Sequence, residues 1–232
     1  MAVTPPFEYV GSELALFERA VNWKRYWSAR IAPFVRGDIL EVGAGIGANT
    51  GVLARLPHRT YTSLEPDSAL AARIPSLGPA HRILTGTLAG VAEHFDTILY
   101  IDVLEHIEDD RAEMARAAAH LHPHGHVIVL APAHASLYTP FDKAIGHFRR
   151  YSRASLAEAA ASDKLAPVRL EYLDSVGLLA SAANRLLLSQ SMPTERQILT
   201  WDRLMVPVSR LLDPLLLHAA GKSVLGVWRR EP

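Results

Sequence analysis

Three acidic side chains stand where apolar runs typical of buried strands come to an end: Glu41, Glu65 and Asp102. Glu41 lies two residues before a glycine-rich turn that spans residues 43–47. The carboxyl ends of parallel strands meet at one edge of a sheet, so we expect these acids to surround one pocket. A carboxylate has two acceptor oxygens and can bind both hydroxyls of a ribose, or a cationic ammonium group.

The glycine turn, Gly43-Ala44-Gly45-Ile46-Gly47, lets the backbone bend sharply and approach a ligand closely. With Ala48 its spacing also fits a dinucleotide-binding pattern, so the turn alone is compatible with a nicotinamide cofactor. A pyrophosphate prefers positive charge, however, and no Lys or Arg lies between Arg36 and Arg55. A ligand with a cationic amino-acid end and a ribose is favoured, and S-adenosylmethionine has both.

A second group of reactive residues follows the fourth and fifth predicted strands. His147 could accept a proton from a hydroxyl and Asp142 could orient it, while His106 is another candidate base. Arg149 and Arg150 could hold a carboxylate or a phosphate in bidentate fashion. The alternative is that these charged residues tie the loop to the domain through internal pairs. His134, His147 and Asp142 match no compact ligand spacing, so we expect no metal site.

Apolar runs alternate with helical patterns along much of the chain. Strands are predicted at 39–42, 60–65, 81–84, 95–101, 126–130, 168–173 and 221–229. An amphipathic helix is predicted over 12–31, with Ser12 as its N-cap. This alternation predicts an α/β fold with a mostly parallel sheet and helices on both faces.

Composition limits the classes of partner. Lys and Arg number 24, as do Asp and Glu, so there is no basic excess to favour nucleic acid. The absence of cysteine excludes disulfides, thiolate metal sites and cysteine nucleophiles. Residues 1–10 show no signal-peptide pattern and no apolar run reaches the length of a membrane span, so we expect a cytoplasmic protein.

In combination, the motifs resemble the class I S-adenosylmethionine-dependent methyltransferases. The motifs that carry this resemblance are Glu41-Val42-Gly43-Ala44-Gly45-Ile46-Gly47, Leu64-Glu65-Pro66-Asp67, Phe95 to Ile107 with its Asp102-Val103-Leu104-Glu105-His106 segment, and Leu121-His122-Pro123-His124-Gly125-His126. The resemblance implies a Rossmann-like sheet of seven strands and S-adenosylmethionine as cofactor.

The resemblance also implies which residues hold that cofactor. The turn and Glu41 would hold the methionine end, Glu65 the ribose, and the end of the fourth strand the methionine side. Thr87 stands where many members have an acid near the adenine, so a backbone or hydroxyl contact is expected there. The implied cofactor residues are Glu41, Gly43, Ala44, Gly45, Gly47, Glu65, Pro66, Thr87, Leu88, Asp102, Val103 and Leu104.

Residues 131–152 resemble the loop after strand five in a subgroup of these enzymes, whose pattern ends in Gly-His-Phe/Tyr-Arg-Arg-Tyr. The resemblance implies that this loop faces the acceptor. Candidate catalytic residues are therefore His147, His106 and Asp142. Candidate substrate-binding residues are Tyr138, Arg149, Arg150 and Tyr151.

Three regions are expected: a helical cap at 1–36, the cofactor-binding domain at 37–174 and 219–232, and an apolar helical arm at 175–218. The arm could be a packing layer, a lid over a hydrophobic acceptor or a membrane-surface element. Its basic excess is weak, which favours packing or a lid.

The leading hypothesis is O-methylation of a small or amphipathic, partly hydrophobic acceptor, a class that includes lipid-like molecules. N- or C-methylation, a nicotinamide-dependent oxidoreductase and a non-catalytic cofactor-binding module are the alternatives. The oligomeric state is left open.

Overall fold

The fold is built on a mixed seven-stranded sheet. The computed structural model describes Tyr9, Gly11 and residues 14–187 and 194–232. The strands are β1 (Asp38–Val42), β2 (Thr60–Glu65), β3 (His81–Thr85), β4 (Phe95–Ile101), β5 (Leu121–Pro132), β6 (Leu165–Leu173) and β7 (Ser223–Arg230). Their order is β3-β2-β1-β4-β5-β7-β6, and β7 runs antiparallel to both neighbours. The α/β fold with a seven-stranded, mostly parallel Rossmann-like sheet is confirmed.

Helices cover both faces of this sheet. They are α1 (Leu14–Glu18), α2 (Val21–Ile31), α3 (Thr50–Leu53), α4 (Ser68–Ala71), α5 (Asp110–Ala119), α6 (Pro140–Ala144), α7 (Arg153–Ala159), α8 (Ser175–Leu187), α9 (Glu195–Thr200) and α10 (Val206–Leu215). Residues Trp201–Met205 join α9 to α10 through one stretch of π-helix. Within the described residues, no helix is long and apolar enough to cross a membrane.

Strand β4 shows why the central strands are apolar throughout. Its side chains alternate between faces, as the pleat requires. Ile98 and Tyr100 join the cluster that contains Met114 of α5, whereas Leu99 joins the cluster that contains Trp27 of α2. A central strand buried on both faces has no polar side, and this accounts for the strand signal of the sequence.

Two details of the predicted elements are wrong. The helix expected over 12–31 is interrupted, because α1 ends at Glu18 and α2 begins at Val21; the predicted cap Ser12 lies outside the described residues. Strand β5 begins at Leu121 rather than at 126, and its pairing with β4 shifts register near its start. Pro123, His124 and Gly125, a sequence typical of a turn, lie inside this irregular start of the strand.

The segment from α8 to α10 is fastened to the sheet through two buried aspartates. The Asp213 carboxylate accepts hydrogen bonds from the backbone N–H groups of Asp174 (2.7 Å) and Ser175 (3.1 Å), and from the Tyr26 hydroxyl (2.7 Å). The Asp174 carboxylate accepts from Trp201 Nε1 at 2.7 Å, and it also accepts from Ser209 Oγ and Gly177 N. Carboxylates without water are stable only when hydrogen-bonded, so this arrangement holds α2, α8 and α10 together.

Candidate active site

A cavity of about 780 Å³ lies at the carboxyl ends of β1 and β4. The glycine turn forms one side of it and α2 another. The loop after β5 and the α8–α10 segment complete the wall. Residues from all of these segments line it, including Gly43, Gly45, Asp102, Trp23, His147 and Trp201. Four separate segments of the chain therefore converge on one space, at the edge of the sheet where the sequence predicts a ligand.

The glycine turn depends on glycine at two positions in particular. Gly43 has φ +67°, and a Cβ there would lie 2.7 Å from Val103 Cγ2. Gly47 has φ +80°, and a Cβ there would lie 2.7 Å from Pro75 Cδ. A side chain at either position would be strained and would clash, so the turn can lie this close to β4 and α4 only with glycine. Ala44 and Gly45 between them face the cavity.

Glu65 bridges the turn to the segment after β2. Its carboxylate accepts hydrogen bonds from Gly45 N at 2.7 Å and from Asp67 N at 2.9 Å. Burial raises its pKa, which the two backbone N–H groups oppose. Each carboxylate oxygen retains acceptor capacity beyond these bonds. The residue is thus held rigidly against the turn, and its contact with a ribose stays a prediction.

Glu41 lies behind the turn rather than in the cavity. Its Oε2 accepts hydrogen bonds from the hydroxyls of Thr50 (2.6 Å), Tyr61 (2.9 Å) and Ser63 (3.3 Å). Burial raises the pKa of its carboxyl to about 7 against the effect of these donors. In this position the carboxylate supports the turn from behind, and the contact with a methionine end expected for Glu41 stays a prediction.

The remaining predicted cofactor residues divide into those that face the cavity and those that support it. Asp102, in the left-handed region at φ 56°, lines the cavity and is exposed there. Burial raises the pKa of Asp102 to about 6, and the interactions with the nearby His147 and Lys222 side chains oppose this rise. The supporting residues are Gly47, Pro66, Thr87, Leu88, Val103 and Leu104, of which Leu88 and Leu104 are fully buried in the core.

Lys24 of α2 places a cation next to the turn, which the sequence argument missed. Its Nζ donates hydrogen bonds to the carbonyl oxygens of Ala48 (2.6 Å) and Glu18 (2.9 Å). Burial lowers its pKa. No basic residue lies close to the turn in the sequence, but in the folded structure Lys24 lies beside it. No local signal marks Lys24, because α2 precedes the whole domain.

Three potential proton acceptors or ligands meet on the cavity floor. One ligand atom from each of Glu105, His106 and His147 lies within 4.8 Å of the others. The His147 ring is 4.5 Å from the His106 ring, edge to face, and its Nε2 is 3.8 Å from Glu105 Oε1. Burial lowers the pKa of His106 to about 4, and burial followed by the charge of Asp102 raises that of Glu105 well above its usual range.

Asp142 orients His147 from the opposite side. Its Oδ1 is 3.0 Å from His147 Nδ1, and its two oxygens pair with Arg150 Nε (2.8 Å) and Nη2 (3.0 Å). Burial alone would raise the pKa of Asp142, but the hydrogen bonds from His147 and Arg150 keep it below its ordinary value. The predicted catalytic residues His147, His106 and Asp142 thus come together, and Arg150 lines the cavity beside them.

The other candidate substrate-binding residues have internal partners. Arg149 pairs with Asp110 at 2.7 Å, and the hydroxyl of the buried Tyr151 donates to the same carboxylate at 2.7 Å. The Tyr138 hydroxyl donates to the carbonyl oxygen of His147 at 2.6 Å. For these residues the structure favours the alternative in which the loop is tied to the domain internally. Their contact with a substrate stays a prediction.

The side of the cavity facing away from the sheet is mainly aromatic and aliphatic. Trp201 packs against Trp23 at 5.8 Å and against Phe17 at 6.5 Å between ring centroids. Lys222 lies above the Trp201 ring at 4.1 Å. These rings come from segments almost 180 residues apart, so the sequence could not predict that they share a wall.

The sequence matches the model of a methyltransferase domain family over residues 17–166. Trans-aconitate 2-methyltransferase of Deinococcus radiodurans is 28% identical, and the match spans 76% of this chain and 72% of that relative.

Solved structures show the same fold at low identity. The N-methyltransferase NodS of Bradyrhizobium japonicum, in complex with S-adenosylhomocysteine, has 15% identity and a TM-score of 0.59 over 93% of this chain and 88% of its own. Phosphoethanolamine N-methyltransferase 2 of Haemonchus contortus, in complex with S-adenosylmethionine, has 12% identity and a TM-score of 0.64 over 95% of this chain and 58% of its own.

The family match covers well over half of the 232 residues and includes the glycine turn, all three strand-end acids and the loop after β5. The chain therefore belongs to the methyltransferase domain family, among the class I S-adenosylmethionine-dependent methyltransferases.

Proposed function

We propose that this methyltransferase transfers a methyl group to a hydroxyl oxygen of an amphipathic, partly hydrophobic acceptor. The observation that supports this most directly is a single cavity that contains the glycine turn, the cluster of Glu105, His106 and His147, and an aromatic wall. A cofactor on the turn and an acceptor against the wall would meet above the cluster.

The residues at the turn fit the methionine end of S-adenosylmethionine. Asp102 offers an open carboxylate for the ammonium group, and the Lys24 ammonium is placed to attract the carboxylate. Glu65, fixed beside Gly45, is assigned the ribose hydroxyls. When bound, S-adenosylmethionine supplies a methyl group activated by a sulfonium.

The acceptor must lose a proton if it is a hydroxyl. As its oxygen forms the new bond to carbon, the sulfur keeps the electron pair of the broken C–S bond and the hydroxyl proton has to leave. Of the two candidate bases, His106 is poorly suited, because an imidazole with a pKa near 4 binds a proton weakly. His147 is oriented by Asp142 and presents Nε2 to the same space, so we assign activation of the hydroxyl to the His147 side of the cluster.

The expected regions follow from the same cavity. We propose that 1–36 forms a cap and that 175–218 forms a lid on the domain of 37–174 and 219–232. The support is that Trp23 and Trp27 from the cap, and Ile198, Trp201 and Met205 from the arm, line the space. An apolar lid excludes water and favours an acceptor with a hydrophobic portion.

Transfer of a tritiated methyl group tests the acceptor class. We expect the wild type to label alkyl-chain alcohols or phenols in preference to amines of equal chain length, because the cluster is placed to remove the proton that a hydroxyl loses on methylation. Glu65→Ala should weaken S-adenosylhomocysteine binding by roughly 10- to 150-fold in calorimetry, the equivalent of about 1.5–3 kcal/mol for hydrogen bonds to a charged group.

Glu93→Ala is the matched control, since Glu93 is half exposed and pairs only with Arg82 at the surface. The affinity of the Glu93→Ala variant for S-adenosylhomocysteine should equal that of the wild type. A Glu65→Ala affinity within twofold of the wild type would disprove the ribose assignment. Labelling of amines but not of hydroxyls would replace O-methylation by N-methylation.

A further inference from the structure

The carboxylate of Glu105 is buried without a partner. It is fully inaccessible to solvent, and neither of its oxygens accepts a hydrogen bond from another described residue. A bare carboxylate in such a place costs several kcal/mol, so a structure that retains one usually provides a proton or a cation for it. The unpaired oxygens belong to the cluster with His106 and His147 on the cavity floor.

We propose that Glu105, His106 and His147 bind a divalent transition-metal ion. One carboxylate and two imidazoles, each with a ligand atom within 4.8 Å of the others, have the composition of a two-histidine, one-carboxylate site with open coordination positions. The set weighed in the sequence analysis, His134 with His147 and Asp142, was expected to hold no metal, and His134 Nε2 instead lies 2.9 Å from the Gly221 carbonyl oxygen.

The environment of each histidine supports a ligand role. His147 Nδ1 is hydrogen-bonded to Asp142, which directs its Nε2 toward Glu105. One ring nitrogen of His106 is hydrogen-bonded to the backbone of Gly146. Metal-binding histidines generally have the other ring nitrogen bound to a carboxylate or carbonyl, which fixes the tautomer and the direction of the free lone pair. Both rings here have such a partner.

The proposal rests on the proposed function in one respect, because it assigns a task to the same cavity floor. A hydroxyl bound to a divalent cation loses its proton to water more readily than a free hydroxyl. His147 would then act as a ligand rather than as the base. Because all three ligand residues line the cavity, an acceptor oxygen bound there could complete the coordination of the ion.

Titration of the metal-free protein with Co²⁺ and Mn²⁺ tests the site. We expect one ion per chain, visible in calorimetry and as visible-region absorption of Co²⁺. Glu105→Gln and His106→Gln should each weaken the affinity at least tenfold. Glu108→Gln, which removes the same charge from an exposed side chain nearby, should leave it unchanged.

S-adenosylhomocysteine binding by the metal-free variants separates this proposal from the proposed function. Retained binding shows that the variants are folded and that the cofactor site stands. No Co²⁺ or Mn²⁺ binding by the wild type below about 100 μM, or equal binding by wild type and Glu105→Gln, overturns the metal site. Full turnover in the presence of a chelator also overturns it and leaves His147 as a base.

A second, independent observation concerns the outer face of α10. Leu211, Leu215 and Leu217 are 73%, 79% and 84% exposed, and Leu204 and Val208 continue the same face. The spacing of 204, 208, 211 and 215 places these side chains in one stripe along the helix. Solvent-exposed leucines in this number mark a contact surface.

The charges around this face identify its partner. Arg203 and Arg210 are exposed, whereas the acids of the same segment, Asp202 and Asp213, are buried and hydrogen-bonded inward. From Arg203 to Leu217, the exposed charged side chains are therefore arginines alone. We propose that this face, Arg203 to Leu217, rests on an anionic lipid surface as an interfacial amphipathic helix.

Sedimentation with vesicles tests this surface. We expect binding to vesicles of phosphatidylcholine with 30% phosphatidylserine, stronger than to phosphatidylcholine alone by about fivefold per arginine. Leu211→Gln with Leu215→Gln should reduce the bound fraction at least fivefold, and Leu77→Gln, an exposed leucine elsewhere, should not. Absence of binding to either vesicle overturns the proposal, as does a dimer that the double variant dissociates.

Discussion

Replacing Asp142 by asparagine should reduce kcat roughly 10- to 100-fold at saturating cofactor, as expected for loss of a residue that orients an active-site histidine. Asp142 is 1% exposed and accepts five hydrogen bonds, two from Thr139, two from Arg150 and one from His147. Asparagine is uncharged, and its NH₂ group is a donor at the place of one acceptor oxygen of the carboxylate. Arg150 then loses half of its bidentate pair, and His147 loses the acceptor that sets its tautomer.

The same substitution should destabilise the fold by about 3 kcal/mol, since it leaves a buried guanidinium without its counter-charge. The measurements are kcat and KM at a temperature where circular dichroism shows the variant folded, together with calorimetry of S-adenosylhomocysteine. Cofactor affinity should stay close to the wild type, because Asp142 lies away from the glycine turn. This separates positioning of His147 from general damage to the domain.

Arg111→Ala is the control for the lost ion pair. Arg111 pairs with Glu158 at the surface, where both side chains are about two-thirds exposed. Exposed pairs contribute little, so stability should change by less than about 1 kcal/mol and kcat should not change. An Asp142→Asn enzyme with wild-type kcat would refute the positioning role of Asp142.

The sheet and its ligand-binding edge were predictable because the signals are local. A buried central strand is apolar on both faces, and the turn after β1 needs glycine at 43 and 47 for steric reasons that act within a few residues. Glu65 and Asp102 were found because parallel strands bring their ends to the same edge. The same reasoning placed Glu41 there, but three hydroxyls hold its carboxylate behind the turn.

The rest of the site depends on contacts between distant parts of the chain. Lys24 reaches the turn from α2 and Trp201 completes the wall from the far end of the sequence, and nothing local marks either residue. Glu105 stood inside the motif that carried the resemblance, yet only its depth and its lack of partners distinguish it from a helix-capping acid. The burial of Asp202 and Asp213, which nothing local in the sequence indicates, likewise removes two negative charges from the arm's surface.

The arm is attached to the domain through the hydrogen bonds of the buried Asp213 carboxylate. Asp213→Asn should lower the free energy of unfolding by about 3 kcal/mol, because the new amide N–H group faces donors that have no other acceptor. For a chain of this length that corresponds to a fall in Tm of roughly 6–12 °C, measurable by calorimetric scanning.

Tyr26→Phe is the matched control, since it removes one donor and leaves the two backbone donors of Asp174 and Ser175 on the Asp213 carboxylate. It should cost about 1 kcal/mol, and the double variant should cost less than the sum of the two, because both changes act on one hydrogen bond. A Tm for Asp213→Asn within 2 °C of the wild type would contradict the proposed attachment.

Loosening the arm should also affect function, because it would carry Trp201 and Ile198 away from the acceptor side of the cavity. In the folded Asp213→Asn enzyme, KM for the acceptor should therefore rise more than Kd for S-adenosylhomocysteine. The glycine turn proposed to bind that cofactor is held by β1, β2 and Glu65 and not by the arm.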